Sequence, residues 1–172
     1  MKNKKLLNMV YTAMFTAMIF ALTRFIQIPV ASGYVHFGDA LIYIVASTLG
    51  GVWALFAAAL GAMLADLTSG FAVYAPATII IKILIALPFV LINKKSEKIL
   101  TPISALLTIL SGAITVLGYF AADLIIDKAY AVVDIPGNAI QAAGSAILFI
   151  VISAAFDAAK LKKKLFVNGN KV

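Results

Sequence analysis

The segment NMVYTAMFTAMIFALTR, residues 8–24, decides what kind of fold this chain can adopt. Its alanines Ala13, Ala17 and Ala21 recur every four residues, so a helix places them on one face, one turn apart. Large apolar side chains cover the rest of this helix. In a bilayer, a stripe of small residues lets a second helix approach closely. The spacing leaves two interpretations open: a docking face for a partner, or a face packed inside the chain's own bundle.

The composition predicts an integral membrane protein. Of the 172 residues, 63% are hydrophobic and 12% are charged, and the mean hydropathy is +1.06. A soluble domain carries about a quarter charged residues, so we interpret residues 1–172 as a single membrane domain. The net charge of +7 comes from lysines at segment ends, as membrane orientation requires, and does not indicate nucleic-acid binding. The chain contains no cysteine, which excludes thiolate chemistry.

Lysine clusters at residues 2–5, 94–98 and 160–171 set the number of crossings. Short basic loops stay in the cytoplasm, so an even number of crossings must separate these clusters. Breaking the long apolar segment 37–67 at Gly50-Gly51 gives that even number. We therefore predict an all-α bundle of six transmembrane helices, with cytoplasmic N and C termini and with short helices two and three. The predicted helices cover about residues 6–28, 38–49, 52–68, 75–92, 100–126 and 138–159.

Lys82 is the ionisable residue placed most deeply in a predicted span. Counted from Tyr74 at the outer surface, it lies about 12 Å deep at 1.5 Å per residue. A charge at that depth needs a partner, and Asp66 and Asp123 approach the same outer half from neighbouring helices. A structural ion pair and a contact with a ligand both remain open for Lys82.

Two pairs of polar residues share a helix face near the outer end. Tyr119 and Asp123 are four residues apart, and a ring beside a carboxylate suits a flat heterocycle with N–H or O–H groups. Asn138 and Gln141 are three apart and offer amide donors and acceptors. Asn138 also fits a helix N-cap, and Tyr74 also fits an interfacial belt, so both roles stay open for each residue.

The loop SGYVHFGD, residues 32–39, holds the only histidine. Its glycines permit a lid in which Tyr34 and His36 close over a ligand. The alternative is that Asp39 caps helix two and that His36 is a solvated loop residue. The predicted substrate-binding residues are Tyr34, His36, Asp39, Asp66, Tyr74, Lys82, Tyr119, Asp123, Asn138 and Gln141.

Several motifs are absent from the chain. There is no G-x-x-x-x-G-K-[ST] motif, so the chain is not expected to bind ATP through a P-loop. There is no H-E-x-x-H motif and no G-x-S-x-G elbow, and one histidine cannot build a His-rich metal site. We predict no catalytic residues, no metal and no cofactor, so the chain is not expected to be an enzyme.

The chain resembles the substrate-binding S component of an energy-coupling factor (ECF) vitamin transporter. The resemblance covers nearly the whole chain: its length, six helices, cytoplasmic ends, a short second helix and the alanine stripe. The segments Val35-His-Phe-Gly-Asp39, Gly50-Gly51 and Gly61-x-x-x-Ala65-Asp66 are similar to the branch that contains riboflavin, hydroxymethylpyrimidine and pyridoxine carriers.

This resemblance implies a mechanism and partners. Ala13 and Ala17, extended by Ala21, would dock on a transmembrane T component, which joins two ATPases. The bundle would capture a small vitamin or vitamin precursor from outside and then topple when ATP is hydrolysed. The first expected ligand is a hydroxymethylpyrimidine or a pyridoxine-like molecule, and the second is riboflavin. The expected location is the plasma membrane of a prokaryote, crossed several times.

Two further classes of function are compatible with the residues. One is a stand-alone, ion-coupled secondary transporter of a small polar solute, in which Lys82, Asp66 and Asp123 would titrate. The second is an embedded enzyme built on aspartates alone. The transporter predicts transport by the purified chain under an ion gradient, and the enzyme predicts turnover of a substrate.

Overall fold

The computed structural model describes residues 4–30, 33–92 and 96–164. Lys2, Lys94, Lys95 and Lys171 of the predicted lysine clusters lie outside these described residues. The described part contains six α-helices of 11 residues or more. They are α1 (Lys4–Phe25), α2 (Gly38–Thr48), α3 (Gly51–Ser69), α4 (Ala75–Ile92), α5 (Pro102–Ile126) and α6 (Ile135–Ala158).

Five of these helices are long and apolar enough to cross a membrane, and α2 is a shorter apolar helix. Large apolar side chains such as Leu106, Ile109, Ile147 and Val151 are exposed on the outside of the bundle, where lipid would solvate them. The predicted all-α membrane bundle is confirmed. The side of the membrane on which each terminus lies stays a prediction.

The short helix α2 forms the centre of the bundle. It packs against α1, α3, α4 and α6, and it is buried from Gly38 through Ser47. A helix that is apolar on all sides is suited to this position. In the core, Tyr43 of α2 stacks on Phe89 with ring centroids 4.8 Å apart, and Phe149 meets both rings edge-on.

The chain breaks between α2 and α3 at the glycine pair that the sequence indicated. Gly50 and Gly51 have φ of 65° and 57°, a left-handed conformation that glycine adopts without a steric penalty. Helix α3 begins at Gly51 and ends at Ser69, followed by Gly70 in the left-handed region. The segment 37–67 is therefore two helices rather than one.

A hairpin shortens α1 at the end of the bundle where α2 begins. Strands β1 (Ile28–Pro29) and β2 (Tyr34–Val35) pair antiparallel, with Ile28 opposite Val35. Helix α1 consequently ends at Phe25, before the predicted residue 28. Helix α6 begins at Ile135, earlier than the predicted residue 138, because a proline in its first turn favours a helix start there.

The opposite end of the bundle is tied together by Asp157 on α6. Its two carboxylate oxygens accept the backbone N–H groups of Ile99 and Leu100, each at 2.8 Å. Thr101 then caps α5 in a capping box with Ser104. The segment that leads into α5 is therefore fixed to the end of α6.

Candidate ligand-binding site

A cavity that is partly open to solvent lies at the end of the bundle where the hairpin packs. It is enclosed by the hairpin and its following segment, the end of α3, the turn before α4, the end of α5 and the start of α6. The described residues that line it are Val30, Gly33, Tyr34, Val35, His36, Asp66, Phe71, Tyr74, Tyr119, Asp123, Asp134, Gly137, Asn138 and Gln141. Its lining combines aromatic rings with a few polar side chains, as small-molecule sites do.

Tyr34 in strand β2 forms one wall of this cavity. Its hydroxyl donates to Asp66 Oδ1 at 2.8 Å, which ties the hairpin to α3. Its ring lies 5.7 Å from the His36 ring and 5.3 Å from the Phe71 ring. Burial, and then the charge of Asp66, raise the pKa of the Tyr34 phenol, so this hydroxyl is a hydrogen-bond donor at neutral pH.

His36 is a buried part of the same wall. It is 5% exposed, and its Nδ1 accepts the backbone N–H of Gly38 at 3.1 Å. Burial lowers the pKa of His36 to about 4; the charge of Lys82 acts in the same direction, and that of Asp39 opposes it. The neutral ring therefore carries its proton on Nε2.

Tyr74 and Asp123 build a second wall of the cavity. The Tyr74 hydroxyl donates to Asp123 Oδ1 at 2.9 Å, which joins the turn before α4 to α5. Tyr119 lies one turn before Asp123 on α5, and its hydroxyl is 3.1 Å from the Thr78 hydroxyl on α4. The aromatic ring and the carboxylate thus face the cavity from the same helix, as their spacing predicted.

A buried ion pair lies among the helices that carry the cavity. Lys82 on α4 donates to Asp39 Oδ1 on α2 at 2.7 Å, and both side chains are fully buried. Gln141 on α6 donates to the second oxygen, Asp39 Oδ2, at 3.1 Å. The backbone N–H of His36 donates to Gln141 Oε1 at 3.4 Å, so the network also fixes the cavity wall.

The Lys82 ammonium makes one further contact. It lies 5.2 Å from the centroid of the Tyr119 ring, within the range of a cation–π interaction. The Lys82 ammonium therefore contacts groups on both α2 and α5.

Eight of the ten predicted binding residues line the cavity; Asp39 and Lys82 do not. The structure pairs Lys82 with Asp39 rather than with Asp66 or Asp123, the partners that depth suggested. Asp39 binds Lys82 and Gln141 and makes no side-chain cap at the start of α2. Whether each lining residue contacts a ligand stays a prediction.

The structure excludes one of the two roles that the sequence left open for Asn138 and for His36. Asn138 lies inside the first turn of α6, where its own backbone N–H bonds to the Asp134 carbonyl at 2.9 Å, so it is not the N-cap. His36 is buried rather than a solvated loop residue. Sequence reasoning missed Phe71 and Asp134 as lining residues; the position of Asp134 just before α6 was the available signal for it.

The alanine stripe of α1 faces away from the bundle. Ala13, Ala17 and Ala21 are all exposed. The buried residues of the same helix are Phe15, Thr16, Ile19 and Thr23. Helix α1 packs on α3 through this second face. Of the two interpretations of the stripe, packing inside the chain's own bundle is therefore wrong.

A lipid-facing helical bundle with a cavity at one end, lined by aromatic and polar side chains, is the architecture of a membrane protein that binds a small molecule. Among the described residues, no three His, Cys, Asp or Glu side chains are grouped so as to hold a metal ion. The chain belongs to the ECF-type riboflavin transporter S-component family, whose sequence model matches residues 3–158. No curated protein matches the chain.

Membership of this family gives the class of function. The chain is the substrate-binding subunit of a vitamin transporter and is not an enzyme. The family implies a T component and ATPases as partners and a small molecule as ligand.

Proposed function

We propose that this chain captures a small vitamin or vitamin precursor from outside the cell, with a hydroxymethylpyrimidine or pyridoxine-like molecule first and riboflavin second. The observation that carries this proposal is the cavity lined by aromatic rings, carboxylates and amides. Rings from Tyr34, Tyr74 and Tyr119 can pack against a flat heterocycle. Asn138 and Gln141 can read its donors and acceptors.

The cavity end is the outward-facing end in this proposal. Lys98, Lys160, Lys163 and Lys164 belong to the opposite end, where α4 leads into α5 and where α6 ends. Lysine-rich ends stay in the cytoplasm. The single membrane domain, residues 1–172, would then lie in the plasma membrane of a prokaryote with its cavity open to the exterior.

Transport would be driven by docking of α1 on the T component and, through it, on two ATPase subunits. The exposure of Ala13, Ala17 and Ala21 supports this role, because small side chains let a partner helix approach closely. Ala13 lies 12 residues before the end of α1 at Phe25, which is about 18 Å along the helix axis, and the hairpin with Tyr34 follows that end. Docking and ligand binding would therefore use separate parts of the molecule.

A stand-alone ion-coupled carrier is not favoured by any contact in the described residues. That mechanism needs Lys82 to titrate with Asp66 and Asp123. Lys82 is instead closed in an ion pair with Asp39 and is fully buried. A buried pair of this kind is better explained as structural support, because removing one partner leaves an uncompensated charge.

Uptake and binding measured on the same variants test the proposal. We expect A13L/A17L to abolish vitamin uptake by cells that also carry the T component and ATPases, while the purified variant still binds ligand. The matched control is A154L/A155L, which adds the same bulk to exposed alanines of α6. Unchanged uptake in A13L/A17L would remove α1 from the docking interface.

A further inference from the structure

Two aspartates in the cavity wall have the same incomplete set of hydrogen bonds. One oxygen of each, Oδ1, accepts a tyrosine hydroxyl: Tyr34 for Asp66 and Tyr74 for Asp123. The second oxygen, Oδ2, is buried in both cases and has no hydrogen-bond partner among the described residues. Asp66 is 7% exposed and Asp123 is 1% exposed. Each wall of the cavity therefore offers an acceptor that the protein does not satisfy.

The neighbouring Thr78 hydroxyl does not complete the hydrogen bonding of Oδ2 of Asp66. Thr78 interacts with the Asp66 carboxylate, and its hydroxyl is also hydrogen-bonded with the Tyr119 hydroxyl at 3.1 Å. Oδ2 of Asp66 nevertheless has no partner within hydrogen-bond distance among the described residues. Native proteins rarely leave a buried carboxylate oxygen without a donor, because its desolvation is then uncompensated. A ligand that brings donors would complete both sites.

The charges around the cavity narrow the class of ligand. The described lining residues include three aspartates and no lysine or arginine. His36 is neutral near pH 7, because burial lowers its pKa to about 4. Lys82 is neutralised by Asp39 outside the lining. The cavity therefore favours positive charge, and its described lining supplies no cation.

We propose that the ligand is a small heterocycle with an amino group whose N–H donors bind Oδ2 of Asp66 and Oδ2 of Asp123. An amino group supplies two or more donors from one nitrogen, and in its protonated form it also supplies the missing positive charge. A hydroxyl supplies one donor and no charge. This inference rests on the proposed function, because it names the chemistry of the molecule that the same cavity would capture.

Calorimetric titration of the purified full chain in detergent micelles tests this with two pairs of probes. Pyridoxamine and pyridoxine differ only in an aminomethyl against a hydroxymethyl group. The second pair is 4-amino-5-hydroxymethyl-2-methylpyrimidine and its 4-hydroxy analogue. In the pair that binds, we expect the amino compound to bind about tenfold to a hundredfold more tightly, the range for a charge-assisted hydrogen bond.

Two variants test whether the preference for the amino compound comes from the carboxylates of Asp66 and Asp123. Asp66→Asn and Asp123→Asn should each reduce the ratio of affinities toward one. Asp127→Asn is the matched control, because this exposed aspartate at the same end of the bundle does not line the cavity and bonds to the backbone N–H of Ala129. It should leave the ratio unchanged. If an Asn variant does not fold, the ratio measured on the unmodified chain decides alone.

The outcomes separate this inference from the proposed function. Equal affinities within a pair, tighter binding of the hydroxyl compound, or a ratio that survives both Asn variants would overturn the inference. Binding of riboflavin while neither pair binds would also overturn it and would leave the vitamin-binding function intact. A folded protein that binds none of these probes would count against the proposed function itself.

Discussion

The carboxylates at the two ends of the bundle differ in how completely they are hydrogen-bonded. At the lysine-rich end, both oxygens of Asp157 accept backbone N–H groups at 2.8 Å. At the cavity end, Asp66 and Asp123 each have one oxygen bound to a tyrosine and one buried oxygen without a donor among the described residues. An aspartate therefore has a donor for both of its oxygens where it joins helices, but for only one oxygen where it lines the cavity.

This difference distinguishes a structural carboxylate from one available to a ligand. Asp39 follows the structural pattern although it lies near the cavity, because Lys82 and Gln141 occupy both of its oxygens. Buried polar groups are normally satisfied within the protein, so an exception needs an explanation. A ligand that supplies the missing donors is the explanation we propose. Four changes test this distinction between the two kinds of carboxylate.

The largest expected effect is on stability. It follows from removing Lys82, the cation that binds Asp39 in the network with Gln141. Lys82→Met leaves the Asp39 carboxylate buried without its ion-pair partner, which should lower the free energy of unfolding by about 3 to 5 kcal/mol. Chemical denaturation in detergent micelles measures this. Adding Asp39→Asn to the same chain should restore much of the loss, since no unpaired charge then remains. Lys163→Met, at an exposed pair with Glu97, is the control and should change little.

Acid should destabilise the cavity end through His36. Its pKa is about 4 in the folded chain against 6.5 when unfolded, so between these values the unfolded state binds one more proton. The free energy of unfolding should therefore fall by about 1.4 kcal/mol for each unit of pH lost in that window, about 3 kcal/mol in all. His36→Gln should flatten this slope when unfolding is followed from pH 7 to pH 4. An identical slope in both proteins would contradict a neutral, buried His36.

Asp157→Asn tests the carboxylate at the lysine-rich end, in which both oxygens are hydrogen-bonded. The asparagine places an N–H₂ group against one of the two backbone N–H donors, so one hydrogen bond is lost and a donor is left unsatisfied. We expect a loss of about 1 to 3 kcal/mol in the free energy of unfolding. Ligand affinity should stay the same, because Asp157 lies at the opposite end from the cavity. A weaker affinity in this variant would show that the two ends are coupled.

The double variant Asp66→Asn/Asp123→Asn should have the smallest effect on stability. Each asparagine keeps an oxygen for its tyrosine and removes a buried negative charge, so the ligand-free protein should change by less than about 1 kcal/mol. Ligand binding should nevertheless be lost. A destabilisation as large as that of Lys82→Met would mean that these carboxylates support the fold rather than the ligand.

Hydropathy and charge were sufficient to predict most of the fold. The apolar segments lie where the long helices form, and Gly50-Gly51 marks the break between α2 and α3 because two left-handed residues are needed there. The same spacing rules grouped Tyr119 with Asp123 on one face of α5. These features depend on local periodicity, which a sequence carries directly.

The network around Lys82 could not be predicted in the same way. Its partner Asp39 is 43 residues away along the chain, and the two meet only because α2 lies at the centre of the bundle. Nothing in the residues of α2 specifies that position by itself, since any apolar helix could be placed there. The hairpin was also missed, because each of its strands has only two residues.

Native mass spectrometry of the protein purified in mild detergent tests the central claim most directly. If the cavity holds a vitamin-like ligand through Asp66 and Asp123, the chain should retain a small heterocycle with an amino group, identified by its mass and fragmentation. Asp157→Asn should retain it, and Asp66→Asn/Asp123→Asn should lose it. Retention of the same molecule by the double variant, or its loss from Asp157→Asn alone, would contradict the distinction between the two ends.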